Sequence, residues 1–255
     1  MEGTNSRIGV YLIPSLLTLA NLFCGFYAII GIQRSDYTLA AWAILLGMLF
    51  DSFDGKIARL TNSTSRFGIE LDSLADLVSS GVAPGLLIYS WALNGYGKIG
   101  WLAAFLFVAC GAIRLARFNT QATSSASKYF TGLPIPAAAG LIAATVIFDS
   151  HILEMGNELR PIVMLLMTYI LAYLMVSTIG YRSFKDVKLG EKKSVSALVA
   201  AVLIIIIIIA QPQIMLFLIF SLYALLGPSE MVLLPLIKAV RNKRHHKREG
   251  NIENH

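Results

Sequence analysis

Charge is scarce in this chain. Asp, Glu, Lys and Arg together make up 14% of its 255 residues, against about a quarter in a soluble globular domain. With 56% hydrophobic residues and a mean hydropathy of +0.68, that scarcity excludes an ordinary soluble domain. Cysteine is scarcer still. The two present, Cys24 and Cys110, fall inside apolar runs with neither disulfide-framework nor metal-ligand spacing, and read as small packing residues. Of four histidines, His245 and His246 are adjacent in a basic tail, where solvated residues are expected rather than metal ligands. No cleavable leader is expected either. The first apolar run, Val10 to Ile32, is too long for the apolar part of a signal peptide and lacks a small-residue cleavage site.

What the chain has instead is apolar runs near the roughly 20 residues that cross a bilayer as a helix. Eight spans are expected, at about 11–32, 38–60, 69–93, 98–118, 134–149, 161–180, 195–210 and 213–236. The fifth opens on Pro134 and Pro136, and the seventh carries an isoleucine run over 204–209 that reads as lipid-facing filler. Assigning charges alternately to the two sides puts all but Arg34, Lys98 and Arg160 of the 21 Lys and Arg on one side. By the positive-inside rule that side is cytoplasmic. The expected fold is therefore an all-α polytopic membrane protein, a bundle of about eight transmembrane helices with both termini cytoplasmic. It divides into a six-helix core at 1–194, two further helices at 195–237 and a basic cytoplasmic tail at 238–255. The tail reads as an anchor on anionic headgroups; without interleaved aromatics it gives no support for nucleic-acid binding.

Against this background, Asp51, Asp54, Asp72 and Asp76 stand out. An aspartate at the centre of a membrane helix costs about 2.5–3.5 kcal/mol on an insertion scale, so four bare ones would cost on the order of 10 kcal/mol. Residues three and four apart share a helix face. Asp51, Asp54, Gly55 and Ala58 thus line one side of the second span, and Gly68, Asp72 and Asp76 one side of the third. The short connection makes these helices antiparallel neighbours whose acidic faces can meet. Small residues leave room for close approach.

Four converging carboxylates call for a counter-charge, and all-oxygen ligation suits Mg2+ or Mn2+. Arg59 and Arg66, on the same connection, can add charge-assisted contacts to phosphate. Together these features suggest phosphoryl transfer on a lipid pyrophosphate at a membrane surface. The competing reading is an ion-coupled transporter, although such proteins usually hold their acids near the midplane on broken helices.

The eight positions Asp51, Asp54, Gly55, Ala58, Arg59, Gly68, Asp72 and Asp76 match, without departure, the signature of the CDP-alcohol phosphatidyltransferase family, which the chain therefore resembles. Residues 14–26, 114–119 (Arg-Leu-Ala-Arg-Phe-Asn), 130–138 and 181–184 are similar to the branch of that family that uses serine. This resemblance implies transfer of the phosphatidyl group from CDP-diacylglycerol to the L-serine hydroxyl, with release of CMP. It also implies one or two ions of Mg2+ or Mn2+ on Asp51, Asp54 and Asp72, with Asp76 as general base and further ligand. Gly55, Ala58 and Gly68 would accommodate the nucleotide, and Arg59 and Arg66 its phosphates. Motif geometry describes the shared donor, so glycerol 3-phosphate, an inositol phosphate or choline stays open as acceptor. Arg114, Arg117 and Lys128 are the candidates for serine binding, or else ordinary topology charges. Asn21 and Asn119 are read as helix–helix hydrogen bonds or ligand contacts. Partners are expected to be the two substrates and membrane lipids of the cell (inner) membrane, with the site at the cytoplasmic face; a homodimer is an open expectation.

Overall fold

The computed structural model describes residues 3–61, 65–122, 129–156, 158–182 and 210–229. Helix α1 spans Gly3–Gln33 and α2 spans Tyr37–Leu60. Between them Ser35 takes a left-handed φ of 59°, and the Asp36 carboxylate accepts the Leu39 N–H at 3.0 Å. The two helices then lie against each other along their length.

Helix α3 starts at Arg66 under a cap: the Ser65 hydroxyl accepts the Gly68 N–H at 3.0 Å. It is α-helical over Arg66–Asp76 and widens to a π-turn over Leu77–Val82, immediately after Asp76. Pro84 supplies the reason. It has no N–H for the preceding turn, and the wider repeat absorbs the missing donor, Ala83 bonding back to the Val78 carbonyl. The helix continues over Ala83–Ile88 and ends in a second π-turn, Tyr89–Leu93.

The apolar stretch Arg66–Thr120 counts 55 residues. As one helix it would reach about 80 Å, more than twice the hydrocarbon core. It is two passes. The chain reverses at the 3-10 turn Asn94–Tyr96, with Gly97 at φ 54°, and α4, Gly97–Ala122, packs back along α3.

Helix α5, Ile135–Phe148, begins after Pro134 and ends in the π-turn Asp149–Leu153. Residues Ala137 through Ile147 are all buried, so this helix, apolar on every side, is the core of the bundle. Helix α6 spans Leu159–Val176 and α7 spans Pro212–Ser229. Phe23 and Phe26 of α1, Phe105 of α4, Tyr173 of α6 and Leu225 of α7 face outward, as a lipid-facing surface requires. Six stretches are long and apolar enough to span a membrane; with Arg66–Thr120 divided at its turn, the described residues hold seven long helical segments. The expected span at 195–210 and the basic tail lie outside them.

Two departures from the sequence expectation adjoin each other. Helix α6 stops at Val176 rather than continuing to 180, because Ser177 turns extended with ψ 162°. The chain then forms a short strand, β2 (Gly180–Arg182), antiparallel to β1 (Tyr129–Thr131). Three-residue strands give no period to read in a sequence. Gly132 closes the corner at φ 81°, where a Cβ would lie 2.3 Å from the Met175 carbonyl oxygen. Helix α7 seats on this corner and on α5. Tyr181 donates its hydroxyl to the Ala224 carbonyl at 3.1 Å, and Phe217 stacks on Phe148 at 4.6 Å.

Candidate metal and phosphate site

The two acidic helix ends meet. One carboxylate oxygen from each of Asp51, Asp72 and Asp76 lies within 4.8 Å of the others. At that separation each pair of ionised carboxylates repels by about 3 kcal/mol for an effective dielectric of about 20. Among the described residues no Lys or Arg forms an ion pair with them; the ion pair present there joins Asp149 and Arg160 at the other end of the bundle. Asp72 Oδ1 is buried with no hydrogen-bond partner. An orphaned anionic oxygen beside two more carboxylates is the donor set of a hard divalent cation, so these residues fit Mg2+ or Mn2+.

Asp54 stands beside that trio rather than in it. It is buried, and its Oδ2 accepts the Thr18 hydroxyl at 2.9 Å. Asp76 is similarly engaged: Asn21 donates its amide to Oδ1 at 3.0 Å. Both donors come from α1, which the signature motif does not include. Their spacing explains the reach, since Thr18, Asn21 and Gly25 follow at intervals of three and four and share one face. At Gly25 a Cβ would stand 2.6 Å from the Ser79 Cα, so α1 and α3 touch backbone to backbone just below Asp76. The Ser79 hydroxyl is buried there without a partner.

The remaining candidates are distributed as follows. Gly55 and Ala58 are half-buried on α2, on the side of Asp51 and Asp54. Gly68 is half-buried and occupied in the α3 cap, and Arg66 is exposed at the start of that helix. The Arg59 side chain and Lys128 lie outside the described residues. Arg114 and Arg117 share a face of α4. Arg117 donates to the Val176 and Ser177 carbonyls at 3.3 Å each, at the end of α6. Arg114 is buried, its Nε has no partner, and it stands within electrostatic range of Asp76 and Tyr223. Asn119 donates to the Ser73 hydroxyl at 2.8 Å, a bond between α4 and α3. Asn21 is likewise a helix–helix hydrogen bond, made to an acid of the cluster.

Sequence reasoning did not single out Thr18, Gly25, Gly47 or Ser79. One signal was available: two polar residues three apart on an otherwise apolar helix, in a medium where polar side chains are seldom placed without a partner. Nothing in the sequence, however, says which helix they face.

Comparison with known proteins places this geometry. The family model described as CDP-alcohol phosphatidyltransferase matches residues 11–179. The chain is 39% identical over 236 residues to a CDP-diacylglycerol--serine O-phosphatidyltransferase of Helicobacter pylori, covering 92% of this chain and 96% of that one. It is 40% identical over 173 residues to the protein of the same name in Bacillus subtilis, covering 68% and 91%. An archaetidylserine synthase of Methanothermobacter thermautotrophicus is 42% identical over 134 residues, 52% of this chain and 56% of its own.

Proposed function

This chain belongs to the CDP-alcohol phosphatidyltransferase family, and on that premise we propose that it transfers the phosphatidyl group of CDP-diacylglycerol to L-serine. The products are phosphatidylserine and CMP. One observation carries the reading: the carboxylates of Asp51, Asp72 and Asp76, drawn from two helices, gather within 4.8 Å in an apolar bundle. The serine in the names of the relatives supports the choice of acceptor.

Asp51, Asp54 and Asp72 would hold Mg2+ or Mn2+, with Asp76 beside them. When bound, the cation supplies positive charge to the pyrophosphate oxygens, where the leaving group gathers negative charge. The chain's own residues do the rest. The serine hydroxyl oxygen forms a bond to the phosphorus that carries diacylglycerol. The bond from that phosphorus to the bridging oxygen breaks, and CMP departs with the electron pair. The hydroxyl proton passes to the Asp76 carboxylate, a positioned general base. Arg59 and Arg66 bind phosphate oxygens. Gly55, Ala58 and Gly68 leave room for the nucleotide. Arg114 takes the serine carboxylate, with Arg117 and Lys128 as further candidates for that contact.

In an integral membrane protein of the cell membrane, this end would face the cytoplasm, where the soluble acceptor and CMP are. The lipid donor would approach laterally from the bilayer. Purified protein given CDP-diacylglycerol, Mn2+ or Mg2+ and labelled serine should release CMP and form labelled phosphatidylserine. Faster turnover with glycerol 3-phosphate or an inositol phosphate would reassign the acceptor, and no CMP with any alcohol would sink the proposal.

A further inference from the structure

We infer that Asn21 is a positioning residue for the transfer: its amide fixes the Asp76 carboxylate, and Gly47 leaves the space in which that amide sits. The inference rests on the assignment of Asp76 as the base. Asn21 is 0% exposed and lies 55 positions from Asp76, to which it donates at 3.0 Å. The bond has one workable sense, since a carboxylate oxygen accepts and only the Nδ2 side of the amide donates. With Oδ1 held, rotation of the carboxylate is restrained and Oδ2 is turned toward the other acids, as the oxygen for the hydroxyl proton.

The second observation lies on the opposite side of Asn21. Its Oδ1 is buried without a hydrogen-bond partner and rests against Gly47 of α2. A Cβ built on Gly47 would stand 2.9 Å from that oxygen and 3.3 Å from the Cys24 Cβ. Any side chain at 47 therefore pushes the amide. Gly47 is one turn before Asp51, so the helix that carries one acid also shapes the seat of the residue that orients another. A buried amide with one half unsatisfied is costly. Its retention in a bundle otherwise rich in apolar packing is accounted for by what the other half holds. A carboxylate facing two others would swing away from them on its own side-chain torsions, and the Asn21 bond opposes that rotation.

The steric relation makes the test specific. Asn21→Leu keeps nearly the same shape and removes the donor. Its turnover should fall roughly 10- to 150-fold, the range for a lost hydrogen bond to a charged group. KM for CDP-diacylglycerol should stay within about twofold, and the melting temperature of the detergent-solubilised protein should not fall. Gly47→Ala should lower turnover as well, by displacing the amide. On an Asn21→Ala background, where the struck oxygen is absent, Gly47→Ala should add no further loss. Wild-type turnover in Asn21→Leu would overturn the inference, as would losses that multiply in the double variant. Asp76→Asn separates the underlying assignment: near wild-type turnover there refutes the base itself, whereas a deep loss there with an unaffected Asn21→Leu refutes only the positioning role.

Discussion

Asp149 and Asp76 are both nearly sealed from solvent, at 1% and 8% exposure, but their neighbourhoods differ in sign. At the Asp149 end the charge is met within the chain. The Arg160 guanidinium lies 3.0 Å from the carboxylate, the Met155 N–H donates to it at 2.8 Å, and Arg160 also covers the Trp91 ring at 5.1 Å. At the Asp76 end, one amide hydrogen bond faces three more carboxylates, and Arg114, though within electrostatic range, makes no ion pair with them. The first arrangement closes on itself and ties α5, α6 and the end of α3 together. The second is left open for a cation and a phosphate to complete. A chain that can build the first has no need to tolerate the second for stability, so the open end is where the fold gives up stability for chemistry.

The largest effect should come from removing a carboxylate whose oxygen has no partner in the protein. Asp72→Asn preserves shape and removes the charge, and its turnover should drop below detection. Chelation should likewise abolish wild-type activity, and added Mg2+ or Mn2+ should restore it to the wild type but not to Asp72→Asn. Because three acids repel less than four, the metal-free variant should melt no lower than the metal-free wild type. Full activity in excess EDTA after metal removal would erase the distinction between the two ends.

The open end was far more legible in the sequence than its support. Asp51 and Asp54 at an interval of three, and Asp72 and Asp76 at four, declare shared faces, and the short connection declares that α2 and α3 are neighbours. Thr18 and Asn21 declare polarity but not destination, since which helices meet is a matter of packing across 36 and 55 positions of chain. Arg114 and Arg117 show the same gap: helical spacing puts them on one face, and only the position of the α6 end diverts Arg117 to two backbone carbonyls. The Asp149–Arg160 pair went unread because its residues fall in different helices, eleven positions apart, with no repeat to link them.

A smaller effect should separate those two arginines. Arg114→Ala should raise the apparent KM for serine by roughly 10- to 150-fold, the equivalent of a lost charge-assisted contact of about 1.5–3 kcal/mol. KM for CDP-diacylglycerol should change less. Arg117→Ala should move the serine KM by a smaller factor, because its guanidinium serves orphan carbonyls at a helix end. Unchanged serine KM in both variants would make them topology charges or lipid contacts and leave Lys128 as the remaining candidate for the serine carboxylate.

The smallest effect on turnover should follow from breaking the closed end. Arg160→Met removes the partner of a buried carboxylate and leaves Asp149 with a single N–H donor. Breaking a buried pair from one side costs about 3 kcal/mol at the low end of measured cases, so the melting temperature in detergent should fall. Replacing both partners, as Asp149→Leu with Arg160→Met, leaves no stranded charge and should recover most of that loss, since an apolar pair of similar volume often equals a buried ion pair. Turnover per folded molecule should match the wild type in both variants. A turnover loss that persists at equal folded amounts would mean that strain at the Asp149 end reaches the acids through α3, which carries Trp91 at one end and Asp72 and Asp76 at the other. The two ends would then be one coupled system, and the contrast between architecture and chemistry would have to be drawn along α3 rather than between the ends of the bundle.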